Sequence, residues 1–239
     1  MARRALIIIP TYNERDNVER VAADFLAPVE GSELLFVDDA SPDGTGQVLD
    51  AIAAREPRVH VLHRPGKLGL GTAYLDGFRW GLERSYRLIV EMDADFSHDP
   101  RHLPRLVELA EAGADLVVGS RYIDGGGTIN WGLARQFISR AGGRYARTVL
   151  GFAIKDPTSG FVCYRRETLE RIDLSSVRSN GYGFQIEMKY RVHRAGMRIV
   201  ETPIVFEDRR VGQSKMSGAI AAEALWMVWR LRLSRIARD

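Results

Sequence analysis

Short, continuously apolar segments alternate with segments of helical periodicity over the first half of the chain. The apolar segments predict five strands, at residues 5–9, 34–37, 59–62, 88–92 and 116–118. Between them, apolar residues spaced three and four apart predict four helices, at residues 17–25, 45–54, 71–83 and 102–112. Strands that are apolar throughout are covered on both faces. The alternation therefore predicts an α/β fold with a mostly parallel, doubly wound sheet.

The pattern changes after Gly119, where the regular alternation ends. A glycine-rich stretch at 125–127 predicts a flexible loop. The remaining segments are predicted, in chain order, to be an Arg-rich helix at 131–150, strands at 161–164 and 198–206 with a helix at 184–194 between them, a loop at 208–217 and a final helix at about 218–237.

Two carboxylates follow the fourth predicted strand directly, as Asp93-Ala94-Asp95. At a strand end, where the chain turns, both carboxylates of such a pair can converge on one cation. Mg²⁺ and Mn²⁺ prefer oxygen ligands, and Mg²⁺ is often held by one or two carboxylates together with substrate phosphates. Asp93 and Asp95 are therefore candidate ligands of Mg²⁺ or Mn²⁺.

Other acidic residues follow the first two strands, where ligands gather in open α/β sheets. Asp39 either belongs to the turn predicted by Pro42-Asp43-Gly44 or accepts hydrogen bonds from a ribose or base. Glu14 is either an acid in a first helical turn or a nucleotide ligand. Three acidic groups at three strand ends together favour a nucleotide–metal site.

Several ordered motifs resemble the family 2 glycosyltransferases of GT-A fold, and within them the dolichol/polyprenol-phosphate mannosyltransferases. The similarity extends over about residues 5–215, nearly the whole chain. The motifs are Pro10-Thr11-Tyr12-Asn13-Glu14, Val37-Asp38-Asp39-Ala40-Ser41, Met92-Asp93-Ala94-Asp95, Gly119-Ser120-Arg121-Tyr122, Asn130-Trp131-Gly132, Asp156-Pro157-Thr158-Ser159-Gly160 and Gly212-Gln213-Ser214-Lys215.

The resemblance implies inverting transfer of mannose from GDP-mannose to a polyprenyl phosphate, with Mg²⁺ or Mn²⁺ as cofactor. The resemblance also implies that the guanosine part of the donor is held by Pro10, Tyr12, Glu14, Val37 and Asp39. Because the sequence contains no internal repeat and no low-complexity linker, we predict one domain over 1–239. It has a nucleotide-sugar half at about 1–122, an acceptor half at about 123–217 and a C-terminal amphipathic helix at about 218–239.

The same resemblance places the other site residues. Asp93 and Asp95 hold the metal and diphosphate, and Ala94 adds a backbone contact. Arg121 lies near the sugar and the acceptor phosphate. The acceptor phosphate is held by Arg135 and Ser139, and Arg209 and Lys215 close over the donor diphosphate from a loop. Asp156 and Glu187 are reserve candidates for a base or a sugar contact, or are structural.

Composition and charge narrow the classes of partner. The net charge of +3 and the acidic strand ends argue against a nucleic-acid groove. The single cysteine, Cys163, excludes an intrachain disulfide and is predicted to be a buried thiol. No segment reaches the roughly 20 apolar residues of a membrane span, and the short N-terminal apolar run predicts no signal peptide.

The arginines are concentrated at 135–147 and 209–238. Such runs are either a solvated face or a surface for phosphates and anionic lipids. The last helix mixes Trp226 and Trp229 with arginines, which suits either a membrane headgroup layer or a helix packed on the core with an Arg-rich outer face. We expect a peripheral protein at the cytoplasmic face of a membrane, attached by this helix, by the lipid acceptor or by a membrane-protein partner.

Two other functions stay open from the sequence. One is a family 2 transferase with another donor, such as UDP-glucose, or another acceptor. The other is a non-catalytic nucleotide-binding or scaffold protein at a membrane, which would need neither the carboxylate pair nor the basic residues.

Overall fold

A computed structural model of the chain describes residues 3–207 and 218–234. In these ranges the strands are β1 (Arg3–Thr11), β2 (Ser32–Asp38), β3 (Val59–His63), β4 (Tyr86–Glu91), β5 (Leu116–Ser120), β6 (Gly127–Ile129), β7 (Val162–Arg165), β8 (Ile199–Pro203) and β9 (Val205–Glu207). The helices are α1 (Val18–Leu26), α2 (Thr45–Arg55), α3 (Leu70–Leu82), α4 (Leu103–Glu111), α5 (Leu133–Leu150), α6 (Arg166–Arg171), α7 (Tyr182–Arg194) and α8 (Gly218–Leu233).

Seven of the strands form one mostly parallel sheet in the order β3-β2-β1-β4-β7-β5-β8. β1 lies between β2 and β4, with Ile7 opposite Leu34 on one side and Val90 on the other. β7 is antiparallel to both neighbours, and Cys163 pairs with Val90 and Val117. The predicted parallel, doubly wound sheet is confirmed. Cys163 is buried as predicted, and burial raises the pKa of its thiol.

Both faces of the sheet are covered. Ile7 and Ile9 of β1 pack with α1, α2 and α4, whereas Leu6 and Ile8 pack with α3 and α7. α3 approaches β1 closely, because a Cβ at Gly77 would lie only 2.6 Å from the Ile8 side chain. A third apolar cluster joins α5, α7 and α8 and consists of Ala146, Leu150, Phe152, Ile154, Ile186, Tyr190, Met227, Val228 and Leu231.

The prediction of one strand at 198–206 is wrong. β8 ends the main sheet at Pro203, and β9 pairs in parallel with β6 in a separate two-stranded sheet. Between them Ile204 is buried, and its N–H donates to the Ser120 carbonyl at 3.0 Å. Proline has no N–H to donate to a sheet, so a strand interior is disfavoured at Pro203.

The predicted loop at 125–127 is also partly wrong, because Gly127 begins β6. Gly126 lies against the end of β5, where a Cβ would be 2.5 Å from the Ser120 carbonyl oxygen. The glycines therefore allow a close backbone approach that lets β6 pair with β9 beside the main sheet.

The C-terminal part of the chain agrees with the predicted final helix as far as Leu233. Residues 235–239 and the predicted loop at 208–217, with Arg209 and Lys215, lie outside the described residues. Across the described ranges, we find no helix with the length and apolar character that crossing a bilayer requires.

Candidate active site

The carboxyl ends of β2, β1 and β4 are adjacent in the sheet, and they bring the predicted acidic residues to one edge. Asp39 follows β2 and donates its backbone N–H to the Thr11 carbonyl of β1 at 3.0 Å. Asp93 and Asp95 follow β4, the strand on the other side of β1. The order of the strands therefore groups residues that are far apart in the sequence.

Asp38 organises the turn after β2. One of its oxygens accepts from the Thr11 hydroxyl at 3.2 Å and the Ser41 hydroxyl at 2.6 Å, and the other accepts from the Ser41 N–H at 3.1 Å. The next turn is held by Asp43, which accepts from both the N–H and the hydroxyl of Thr45. Asp38 and Asp43 therefore fix the backbone beneath the site.

Asp39 is buried and held by an arginine that the sequence analysis did not identify. Its carboxylate pairs with Arg64 and accepts from the Gly69 N–H at 3.2 Å. Arg64 also donates to the Thr72 hydroxyl at 2.6 Å and lies 3.0 Å from the Asp76 carboxylate. Its position in the sequence could have indicated a role at the site, because Arg64 directly follows β3 and that strand ends at the same edge of the sheet.

The other residues predicted to hold the guanosine lie along the same edge in different environments. The Tyr12 ring is half-buried, with the Lys67 ammonium 3.8 Å from its centre. Glu14 donates its N–H to the Thr45 hydroxyl at 3.0 Å and accepts from the Asn17 amide at 2.6 Å. Pro10 is half-buried, whereas Val37 is fully buried, and its side chain packs in the core. A nucleotide contact by the Val37 side chain stays a prediction that this burial disfavours.

The Asp93-Ala94-Asp95 segment turns sharply after β4. Asp93 is about one-third exposed, accepts from the Tyr74 hydroxyl at 3.4 Å and donates its N–H to His98 Nδ1 at 3.2 Å. One oxygen of Asp95 accepts from both the N–H and the hydroxyl of Ser97. Ala94 is buried. These local hydrogen bonds hold Asp93 and Asp95 at the carboxyl end of β4.

The donor atoms of this segment fit a hard divalent cation. Among the described residues, no group of three or more His, Cys, Asp or Glu could hold a metal on its own. His98 is buried, and burial lowers its pKa against the charges of Asp93 and Asp95, so its Nδ1 accepts the Asp93 N–H as a neutral ring. Two carboxylates that leave the other positions to phosphate oxygens and water are typical of Mg²⁺ sites with nucleotide substrates.

Arg121 forms a buried ion pair with Asp156. Its Nε and Nη2 donate to the two carboxylate oxygens at 2.7 and 2.6 Å, and its backbone N–H donates to the same group at 3.0 Å. Burial alone would raise the pKa of Asp156, but the Arg121 charge and hydrogen bonds outweigh burial and lower it. The Arg121 guanidinium is therefore fixed in direction rather than free to swing.

An aromatic surface joins Arg121 to the predicted acceptor residues. The Arg121 guanidinium lies 5.4 Å from the Trp131 ring centre, and the Arg135 guanidinium lies 4.2 Å from the same ring. Ser139 accepts a hydrogen bond from the Tyr122 hydroxyl at 2.7 Å. The structure thus brings Arg121, Arg135 and Ser139 to one region at the start of α5. Trp131 and Tyr122, which connect them, were not assigned a role from the sequence.

A family model agrees with these strand-end motifs. The model of glycosyl transferase family 2 matches residues 6–173, which is most of the chain. The chain belongs to glycosyl transferase family 2. The family resemblance seen in the sequence is confirmed.

Similar proteins place this family 2 transferase more narrowly. Undecaprenyl-phosphate mannosyltransferase of Micrococcus luteus is 52% identical over 231 residues, covering 97% of this chain and 95% of that protein. Polyprenol monophosphomannose synthase of Mycolicibacterium smegmatis is 49% identical, covering 96% and 88%. Dolichol-phosphate mannosyltransferase of Pyrococcus furiosus is 36% identical, covering 94% of this chain and 62% of that protein. The predicted subgroup is confirmed by these relatives.

Solved structures show the fold of the transferase. A crystal structure of glucosyl-3-phosphoglycerate synthase from Mycobacterium tuberculosis with UDP has a TM-score of 0.69 at 22% identity, covering 96% of this chain and 80% of that chain. A second structure of that protein, with Mn²⁺, UDP and glucosyl-3-phosphoglycerate, has a TM-score of 0.67 at 23% identity, covering 98% and 80%. The fold is GT-A, as predicted.

Asp156 and Glu187 of the family 2 transferase are each paired with an arginine. Asp156 is committed to Arg121, as described above. Glu187 is buried in α7, where it pairs with Arg191 at 2.6 Å and accepts from the Ser179 N–H at 3.0 Å. Both carboxylates hold other groups in place, which favours the structural role among the alternatives that the sequence left open.

A series of buried polar side chains lies beneath Asp93 in the transferase. Glu91, at the end of β4, accepts from the Gln185 amide, whose oxygen accepts from Lys189 at 2.9 Å. Lys189 also donates to the Ser159 carbonyl at 2.7 Å, beside the loop that carries Asp156. Burial raises the pKa of Glu91 and lowers that of Lys189, against their mutual attraction. This series of hydrogen bonds connects the end of β4 with the loop that carries Asp156, the partner of Arg121.

Proposed function

We propose that this chain transfers mannose from GDP-mannose to a polyprenyl phosphate, with inversion at the anomeric carbon. The observation that carries the proposal is that two relatives, 52% and 49% identical over nearly the whole chain, are both named for mannose and a polyprenol phosphate. The site supports the same chemistry, because an acidic strand edge lies beside a group of arginines near α5.

In this proposal the donor lies along the ends of β1, β2 and β4. Pro10, Tyr12, Glu14 and Asp39 line the nucleotide side, and Asp93 and Asp95 lie at the diphosphate with Ala94. The contact with Arg64 holds the Asp39 carboxylate in place, with its remaining acceptor capacity towards the nucleotide. Asp93 and Asp95 would hold Mg²⁺ or Mn²⁺, which would supply positive charge to neutralise the diphosphate.

The acceptor phosphate lies near Arg121, Arg135 and Ser139 in the proposal. A phosphate monoester is largely ionised at neutral pH, so its attack needs no general base. One phosphate oxygen forms a bond to the anomeric carbon while the bond from that carbon to GDP breaks on the opposite face. Arginine forks match phosphate oxygens, and the Asp156 and Trp131 contacts hold Arg121 and Arg135 in place beforehand.

The proposed site of action is a membrane surface, at the cytoplasmic face where nucleotide sugars are available. α5 packs against α8, and both helices expose large apolar side chains. The exposed residues are Leu133, Phe137 and Ile138 on α5 and Trp226, Trp229 and Leu233 on α8. Apolar and aromatic residues mixed with arginines suit the headgroup layer of an anionic bilayer. A membrane-protein partner would be a further means of attachment.

GDP release measures the proposed reaction and separates it from the two alternatives. We expect GDP release from GDP-mannose to depend on an added polyprenyl phosphate in detergent with Mg²⁺, and UDP-glucose to give no acceptor-dependent UDP release. Acceptor-dependent release from UDP-glucose would replace the donor assignment. Tight GDP binding without release from any donor would support the non-catalytic alternative.

A further inference from the structure

A cavity of about 510 Å³ lies beside α5, next to the proposed acceptor region. We call it the α5 cavity. It is lined by Tyr122, Arg140, Arg144, Arg147, Thr148, Phe152 and Lys155. Four of these residues are cations and none is acidic.

The cations of the α5 cavity differ from the other arginines near the site. Arg64 and Arg121 are paired with Asp39 and Asp156. By contrast, none of the four cavity cations forms an ion pair with a residue in the described ranges. Like charges that share a cavity repel one another, and a bound anion relieves this repulsion. The charge pattern therefore indicates an anionic ligand.

The geometry of α5 gathers these cations on one side. Arg140, Arg144 and Arg147 are spaced four and three residues apart, so they lie on one face of the helix. Lys155 approaches from the segment after the helix. The Nε of Arg147 is buried and has no hydrogen-bond partner in the described part of the chain. A buried donor without a partner costs free energy, which a bound acceptor would remove.

Phosphate is the anion that this arrangement matches best. Arginine presents planar donor pairs to phosphate oxygens, and Phe152 adds an apolar wall. The α5 cavity lies on the same helix as the exposed apolar residues Leu133 and Phe137, so a ligand anchored in a lipid layer could reach it.

We propose that the α5 cavity binds the phosphate headgroup of an anionic phospholipid, at a site separate from the acceptor phosphate. This inference rests on the proposed action at a membrane surface, but not on the identity of the sugar donor. The headgroup would contact Tyr122, whose hydroxyl donates to Ser139. Lipid binding would in this way steady a residue that is proposed to hold the acceptor.

Vesicle flotation with the full chain tests the site without any turnover. We would compare phosphatidylcholine vesicles with vesicles that also contain phosphatidylglycerol, for the wild type, Arg144→Gln, Lys155→Gln and the control Arg230→Gln. Arg230 is an exposed arginine beside Trp226 on α8 and outside the cavity. Arg144 and Lys155 are exposed as well, so neither change removes a buried contact of the fold.

We expect Arg144→Gln to weaken phosphatidylglycerol-dependent binding about 10-fold or more, because a charge-assisted hydrogen bond to phosphate is lost. Lys155→Gln should show a smaller loss in the same direction. Arg230→Gln should lose about 5-fold at most, which is the general attraction of one cation to an anionic surface. Equal losses for Arg144→Gln and Arg230→Gln would overturn the site in favour of a diffuse electrostatic surface.

Two further arms separate the sources of phosphate. Calorimetric titration with glycerol 3-phosphate should give binding much weaker than to phosphatidylglycerol vesicles. Equally tight binding of the soluble phosphate would overturn the lipid assignment. Polyprenyl phosphate in phosphatidylcholine vesicles should bind Arg144→Gln nearly as well as wild type. If Arg144→Gln lost binding to polyprenyl phosphate as strongly as to phosphatidylglycerol, the α5 cavity would belong to the acceptor instead. If the wild type bound the vesicles but transferred no mannose, only the proposed function would be overturned.

Discussion

Asp95→Asn should lower the rate of mannose transfer by about 10²–10⁴-fold. The substitution keeps a side-chain oxygen for the N–H and hydroxyl of Ser97, so the turn after β4 should be retained. It removes a negative charge from the proposed cation site, where charge stabilisation is worth several kcal/mol in the transition state. Steady-state transfer at saturating GDP-mannose, repeated over a series of Mg²⁺ concentrations, would measure the loss and any weakening of metal dependence.

Asp99→Asn is the matched control for this prediction. Asp99 lies four residues after Asp95, and its carboxylate accepts from the backbone N–H of Arg101. The side-chain oxygen of an asparagine can accept the same hydrogen bond. We expect its transfer rate to stay within about 3-fold of wild type, because surface ion pairs contribute little. Similar rates for Asp95→Asn and Asp99→Asn would contradict the assignment of the strand-end carboxylates.

Asp156→Ala should lower the free energy of unfolding by about 3–5 kcal/mol. Removing one partner of a buried ion pair leaves the other charge without its compensation, and Arg121 is almost fully buried. Asp156→Asn should have a smaller effect, because the amide oxygen can still accept from Arg121. Urea unfolding followed by tryptophan fluorescence would measure both, since the chain contains four tryptophans.

Asp24→Ala provides the comparison on the surface. Asp24 pairs with Arg20 at 3.3 Å on the exposed side of α1. Exposed pairs of this kind contribute about 0–1 kcal/mol, so we expect a change below about 1 kcal/mol. If Asp156→Ala cost no more than Asp24→Ala, the Arg121–Asp156 pair would not hold the site together as described.

The main sheet could be predicted because its strands are apolar throughout and alternate with amphipathic helices. The position of β7 could not be predicted in the same way. Its pairing depends on Val90, Cys163 and Val117, which are distant in the sequence, and local periodicity contains no information about that register. The break at Pro203 was visible in the sequence, but the adjacent apolar residues favoured one continuous strand.

The residues of the candidate site could likewise be predicted only in part. Asp39, Asp93 and Asp95 could be found because they directly follow predicted strands, and strand ends share one edge of a parallel sheet. Their partners come from distant segments. Arg64 reaches Asp39 from the end of β3, and Asp156 reaches Arg121 from the loop before β7, so the sequence showed charged residues without showing which ones pair.

Transfer of labelled mannose into a solvent-extractable lipid is the direct test of the proposed reaction. The purified chain would be mixed with labelled GDP-mannose, a polyprenyl phosphate in detergent and Mg²⁺, with Asp95→Asn and Asp99→Asn alongside. We expect labelled lipid with wild type and Asp99→Asn and almost none with Asp95→Asn. Labelled lipid formed equally well by Asp95→Asn, or no labelled lipid from the wild type, would contradict this expectation.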